Sequence, residues 1–133
     1  MSERFLLPQA GELRTVHELP LIQLCNGLVA RGLDQGCRRL EVRAPRRGAV
    51  VAEISAFRGK RKSESFAVPS SLYPRVLRRF KAMARMRRNR PADTRGVIRF
   101  AGDRSKPVEI PVRLRPRPDG QADLIMTLPS RDV

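Results

Sequence analysis

Residues 70–90 read SSLYPRVLRRFKAMARMRRNR, and this stretch predicts the helix around which the rest of the chain packs. Its apolar side chains recur at steps of three and four residues, so a helix places them on one face: Tyr73, Val76, Leu77, Phe80, Met83 and Ala84. Ser70 or Ser71 can cap the start, and Pro74 falls within the first turn, where a missing N–H costs little. We therefore expect one face of this helix to fill a core.

The other positions of the same stretch are mostly basic, and none is acidic. Five of its seven arginines are the candidate binding residues: Arg75, Arg78, Arg79, Arg85 and Arg88. One interpretation is a solvated face in an arginine-rich protein, and the other is a docking surface for phosphate or for an acidic partner. The sequence leaves both interpretations open.

The composition predicts one intracellular domain. A chain of 133 residues, 41% of them hydrophobic, is long enough for one core and is not disordered throughout. Its 28 basic residues face 13 acids, and the net charge of +15 suits a polyanion, an anionic membrane surface or an acidic protein face. Cys25 and Cys37 lie outside any CxxC spacing and predict a reduced pair. Without a long apolar run or a signal peptide, we expect a cytoplasmic protein that does not insert into membranes.

Periodicity along the chain predicts a two-layer α+β fold. Residues 1–15 are expected to form a flexible N-terminal arm, and residues 16–133 a single domain. A helix from about His17 ends at Gly32 or Gly36. Strands are predicted over 39–44, 49–57, 62–68, 96–101, 108–114 and 122–128, and Pro111 argues for a sheet edge or a bulge in the fifth. The order α-βββ-α-βββ indicates an antiparallel sheet with two helices on one side.

Nine residues are expected to be buried in this core: Leu24, Leu28, Val42, Ile54, Phe80, Met83, Ile110, Val112 and Leu124. Catalytic patterns are not found in the sequence. His17 is the only histidine, and with two separated cysteines it leaves too few ligands for a structural zinc site. Neither GxxxxGK[ST] nor GxGxxG occurs, and no serine has a histidine beside it. We expect no enzyme, no metal and no cofactor.

Five segments follow the order of motifs in one family. RGLDQG at 31–36 with LEV at 40–42 is similar to "RGASDIHIEP", and SAFRG at 55–59 is similar to the "RIDG" hairpin. LRRFKAMA at 77–84 is close to "LVSRLKVMA". VEIPVR at 108–113 and RPRPDGQ at 115–121 match "EIDLRVS" and "LPTxxGE". Over residues 18–128, the chain thereby resembles the second N-terminal, PAS-like domain of the motor ATPases of type II secretion and of type IV pili.

The resemblance implies a PAS-like fold and a bacterial, non-catalytic adaptor, since the family's ATPase core is not part of this sequence. Such a domain docks on another component of the secretion or pilus machinery. Family arginines that approach the nucleotide of the adjoining core match Arg95 and Arg113 most nearly, which makes these two possible phosphate contacts. The alternative is a nucleic-acid-binding protein that uses the same arginine-rich helix, although the sequence shows no aromatic stacking set.

Overall fold

The computed structural model describes residues 18–86, 94–102 and 106–129. Within these ranges, two helices and six strands follow one another as α1 (Glu18–Asp34), β1 (Arg39–Arg43), β2 (Val51–Arg58), β3 (Arg61–Pro69), α2 (Tyr73–Met83), β4 (Arg95–Phe100), β5 (Val108–Pro116) and β6 (Ala122–Thr127). The predicted element order is confirmed. The predicted arm at 1–15 lies outside the described residues, as do His17 and Arg88.

All six strands belong to one antiparallel sheet in the order β3-β2-β1-β6-β5-β4. Each half of the chain supplies a three-stranded meander, because short turns join neighbouring strands. The two meanders meet where β1 pairs with β6, with Leu40 opposite Met126. The first and last strands of the domain therefore lie side by side at the centre of the sheet.

Both helices pack on one face of this sheet and form the core with it. Phe80 of α2 is completely buried, and Leu28 of α1 is only 1% exposed. Eight of the nine predicted core residues are buried: Leu24, Leu28, Val42, Ile54, Phe80, Ile110, Val112 and Leu124. The prediction was wrong for Met83, which is only partly buried because it lies on the flank of α2 at the rim of the core.

The basic helix is shorter than residues 70–90, and this prediction is corrected at both ends. Leu72 is the N-cap without a side-chain hydrogen bond, since the Ser70 hydroxyl donates instead to the Ala49 carbonyl oxygen over 2.8 Å. At the other end α2 stops at Met83, because Arg85 adopts a left-handed conformation with φ 59°. Met86 then turns back and is buried.

The end of α2 lies directly on β4. A Cβ atom on Gly96 would lie 2.4 Å from the Ala84 carbonyl oxygen and 3.0 Å from the side chain of Met86. No real Cβ atom approaches a carbonyl oxygen so closely, so only glycine allows this contact. Gly96 thus fixes the height of the C-terminal end of α2 above the sheet.

The sequence predicted a sheet edge or a bulge at Pro111, and this residue is paired on one side only although its strand is an inner one. It lies in β5, which pairs with β4 on one side and β6 on the other. The Leu114 N–H donates to the Thr94 carbonyl oxygen, so the backbone N–H groups of even-numbered residues in β5 point toward β4. Those of odd-numbered residues point toward β6, and the nitrogen of Pro111 is therefore on the β6 side. Pairing between β5 and β6 begins one residue later, at Val112 opposite Met126. The missing N–H therefore falls just outside that ladder.

Candidate functional site

The most basic helix face belongs to α2 and is held rigidly by the core. Tyr73, Val76 and Phe80 are buried beneath the helix, and the Tyr73 hydroxyl donates to the Ala122 carbonyl oxygen of β6 over 2.9 Å. Their burial turns the opposite side outward. We call this exposed side, together with the turn that follows it, the α2 basic surface: Arg75, Arg78, Lys81 and Arg85.

Two arginines of this surface form no ion pair with an acid of the described residues. The helix sequence YPRVLRRFKAM contains no Asp or Glu. Arg78 and Arg85 are exposed, and within the described ranges neither forms an ion pair with a carboxylate. Because their charges are not neutralised internally, they attract anions or acidic surfaces from solution. Arg88, which was also predicted for this site, lies outside the described residues.

Arg79 does not share this surface. It lies on the flank of α2 that faces α1, where it is half-buried. Its Nε is fully buried and has no hydrogen-bond partner among the described residues. Together with Asn26 and Gly27 of α1 and Arg99 of β4, it lines a cleft of about 530 Å³. The structure therefore divides the predicted arginines between two places.

Cys25 lies beneath the same flank, and its thiol is unreactive. Burial raises the pKa of its thiol to about 12, an effect that the nearby Arg79 charge only partly opposes. Only the thiolate is a good nucleophile or metal ligand, so this thiol stays protonated and inert at neutral pH. Cys25 and Cys37 are both buried and free, as predicted.

The open face of the sheet carries arginines that are neutralised within the domain. Glu41 and Asp123 are buried on this face although neither of the two described helices covers it. Arg115 lies 2.9 Å from Asp123, and Arg39 lies 2.7 Å from Glu41 and stacks 4.2 Å from the centre of the Phe57 ring. The long arginine stems thus cover the face and their charges pair with the acids beneath them.

Two hydrogen bonds attach Asp123 to the neighbouring strand and turn. The backbone N–H of Ala44 donates to its Oδ1 over 2.8 Å, and Arg117 reaches both this carboxylate and the carbonyl oxygen of Ala44, the latter over 2.7 Å. Burial raises the pKa of Asp123, but the Ala44 N–H and the Arg115 guanidinium outweigh it and hold the pKa below its usual value. This cluster stabilises the fold. The sequence did not predict it, because Asp123 is a single acid in a strand and its partners are distant along the chain.

Arg95 and Arg113 are brought together by the sheet. They lie directly opposite each other on β4 and β5, and both are exposed on the open face. Beside them, a groove of about 410 Å³ is lined by Val97, Pro111 and Thr127. Two guanidinium groups at one cross-strand position suit a single anionic group, because cross-strand neighbours lie about 5 Å apart at Cβ.

Across residues 18–86, 94–102 and 106–129, no three His, Cys, Asp or Glu side chains come together to hold a metal ion. No helix in those same ranges is both long enough and apolar enough to cross a bilayer.

Comparisons with known proteins add no relative. No family model matches the chain, and no curated protein shows significant similarity to it.

Proposed function

We propose that the chain is a non-catalytic docking domain related to the second, PAS-like N-terminal domain of secretion and pilus motor ATPases. It binds an acidic surface of another protein through the α2 basic surface, and it acts in the cytoplasm. The proposal is supported by the element order, by the single antiparallel sheet with both helices on one side, and by five motif segments that occur in the family's order.

The observation that carries the docking role is the state of Arg78 and Arg85. Arg78 is exposed on α2, whose other face is anchored by Phe80, and Arg85 is exposed in the turn that follows the helix. No acid of the described chain neutralises either arginine. On the open sheet face, by contrast, Arg39 and Arg115 are paired with buried acids. A rigid, unneutralised positive surface binds a complementary acidic one with little loss of conformational entropy.

Three of the motif segments lie at helix ends or at a turn between strands. LRRFKAMA spans the last turns of α2, RGLDQG ends α1, and RPRPDGQ forms the turn between β5 and β6. On this proposal Arg95 and Arg113, which face each other across β4 and β5, contact a phosphate of the partner's nucleotide. The cross-strand pair gives this second role a geometric basis.

Nucleic acid is the second candidate, and the exposed charge of Arg78 and Arg85 favours it equally. The aromatic side chains argue against a single-stranded target. Four phenylalanines and the tyrosine lie in the described ranges, and all five are buried: Phe57, Phe66, Tyr73, Phe80 and Phe100. Proteins that bind single strands stack bases on exposed aromatic rings, which these residues do not offer.

The docking role is tested by binding to a purified secretion or pilus motor ATPase from the same genome, measured by calorimetry at about 0.15 M salt. We expect saturable binding that is lost in the double variant Arg78→Glu/Arg85→Glu. The matched control is Arg46→Glu/Arg47→Glu, which makes the same change of charge on two exposed arginines of the β1–β2 turn.

Binding that survives in the α2 variant, or that the turn variant weakens equally, would reject the α2 basic surface as the docking site. Failure of every secretion and pilus motor of that genome to bind would reject these motors as the docking partner. An unchanged thermal melting temperature in both double variants excludes misfolding as the cause of a loss.

A further inference from the structure

The cleft between α1, α2 and the end of β4 has the size of a small-molecule site. Its volume of about 530 Å³ lies within the range of about 300–1,000 Å³ that is common for ligand pockets. Ten residues line it: Asn26, Gly27, Ala30, Arg79, Met83, Ile98, Arg99, Phe100, Ala101 and Gly102. Small residues of α1 on one side and of the end of β4 on the other leave the space open.

Among the described residues that line it, two are charged, and both are arginines. Arg79 enters from α2 and Arg99 from β4, and none of these described lining residues is acidic. Asn26 adds an exposed amide at the rim. The cleft is therefore positive on two sides, which favours an anionic ligand over a neutral or cationic one.

Arg79 also carries a buried hydrogen-bond donor without an acceptor among the described residues. Its Nε is buried, and in the described chain no acceptor reaches it. Buried polar groups of native proteins are nearly always hydrogen-bonded, and a charged donor left without a partner is especially unfavourable. A carboxylate or phosphate accepts two parallel hydrogen bonds from a guanidinium, and the part of the Arg79 side chain that lines the cleft can donate them.

The remaining walls are apolar. Phe100 is 8% exposed and its ring edge lies against Gly102, where a Cβ atom would come within 2.9 Å of the ring. Met83, which the core leaves partly exposed, lines the cleft from α2. A polarisable thioether and an aromatic ring suit the flat or aliphatic portion of an organic molecule.

We propose that this cleft binds a small organic anion, whose carboxylate or phosphate contacts Arg79 and whose apolar part lies against Phe100 and Met83. The site is separate from the α2 basic surface, because neither Arg78 nor Arg85 lines the cleft. It goes beyond the docking role and does not depend on it.

The test is a titration of the full chain, followed by amide NMR shifts and by calorimetry in 0.15 M salt. The probes are phenyl phosphate and phenylacetate, which distinguish a phosphate from a carboxylate head group. Inorganic phosphate and acetate represent the anionic head groups alone, and benzyl alcohol represents the aromatic part alone. We expect one of the two amphipathic anions to bind with Kd below about 1 mM and to shift the amides of Gly27 and Phe100, with each half binding at least about tenfold more weakly.

Two variants locate the binding. Arg79→Gln removes the charge, and Gly27→Leu fills the cleft without changing any charge, so each should weaken binding at least about tenfold. The matched control is Arg47→Gln, the same substitution at an exposed arginine outside the cleft, which should leave Kd unchanged. If Arg79→Gln does not fold, the Gly27→Leu comparison decides alone.

Three results would overturn the proposal. The first is no saturable binding of either amphipathic anion. The second is an equal loss in the Arg47→Gln control, or no loss in Gly27→Leu, since either would mean that net charge alone attracts the probe. The third is inorganic phosphate binding as tightly as phenyl phosphate, because the apolar walls would then contribute nothing.

Discussion

The backbone N–H of Met86 donates to the carbonyl oxygen of Lys81 over 2.9 Å, and this bond ends α2. A second bond joins the N–H of Arg85 to the Ala82 carbonyl oxygen over 3.0 Å, and Arg85 between them is left-handed. This pair of bonds is a Schellman motif with its hydrophobic residue, Met86, buried. Arginine occupies the position at which glycine is usual.

We predict that Arg85→Gly stabilises the domain by about 0.5–1 kcal/mol, because glycine adopts a positive φ without the steric cost that arginine has. The free energy of unfolding in urea measures the change. The same substitution at Arg78, inside α2, is the control and should destabilise by about 1 kcal/mol through lost helix propensity. Stabilisation by both substitutions, or by neither, would contradict the described end of α2.

The end of α1 shows why one helix boundary was predictable and the other was not. Gly36 has φ 73°, and Cys37 donates to the Gly32 carbonyl oxygen over 2.9 Å, so α1 ends in the same motif. Glycine at that place was a visible signal, and the sequence predicted Gly36 as one of two possible ends. Arg85 gives no such signal, and the run of basic residues beyond it continued the helical pattern.

Burial of Phe80 anchors the α2 basic surface to the core. Phe80 is 0% exposed, so Phe80→Ala should cost about 3–5 kcal/mol of unfolding free energy, the usual penalty for emptying a large aromatic site. Chemical denaturation measures the loss, with the exposed residue Ala82→Ser as a control of small effect. A denaturation midpoint unchanged by Phe80→Ala would show that α2 packs on the sheet in another way.

Two depressed carboxyl pKa values make stability fall in acid. The hydrogen bond from the Ser65 hydroxyl is the main cause that lowers the pKa of Glu53. Burial raises the pKa of Asp123, but the Ala44 N–H and Arg115 outweigh it, so this pKa is also lowered. Each group therefore binds protons more readily in the unfolded chain, so its stabilisation is complete above the unfolded pKa of about 4 and is lost as pH falls through the lower folded value.

We predict a steep fall of the urea midpoint below about pH 4, and a shallower one in Asp123→Asn. At pH 7 that variant should lose about 1–3 kcal/mol, because a buried acceptor paired with Arg115 is replaced. Ser65→Ala, which removes only the bond to Glu53, should change the acid slope less. An Asp123→Asn variant with the parental slope would show that Asp123 does not carry the acid sensitivity.

The candidate site was predicted only in outline, because the sequence does not show which neighbouring element each side chain faces. The period of α2 correctly placed Phe80 inward and Arg78 outward. It did not show that Arg79 faces α1, because the position of the neighbouring helix is set by the sheet and not by local sequence. Likewise, the pairing of Arg95 with Arg113 depends on the register of β4 and β5, to which two separate arginines give no clue.

The most direct test of the docking account is the binding of a labelled 20-base-pair duplex, measured by fluorescence anisotropy across a salt series. A net charge of +15 should produce non-specific binding with Kd of about 10⁻⁴–10⁻⁶ M near 0.15 M salt, independent of base sequence. Because non-specific binding depends on overall charge, two double variants should weaken it equally: Arg78→Glu/Arg85→Glu and Arg46→Glu/Arg47→Glu. Nanomolar, sequence-selective binding at that salt, lost only in the α2 variant, would contradict the account and make nucleic acid the partner of the α2 basic surface.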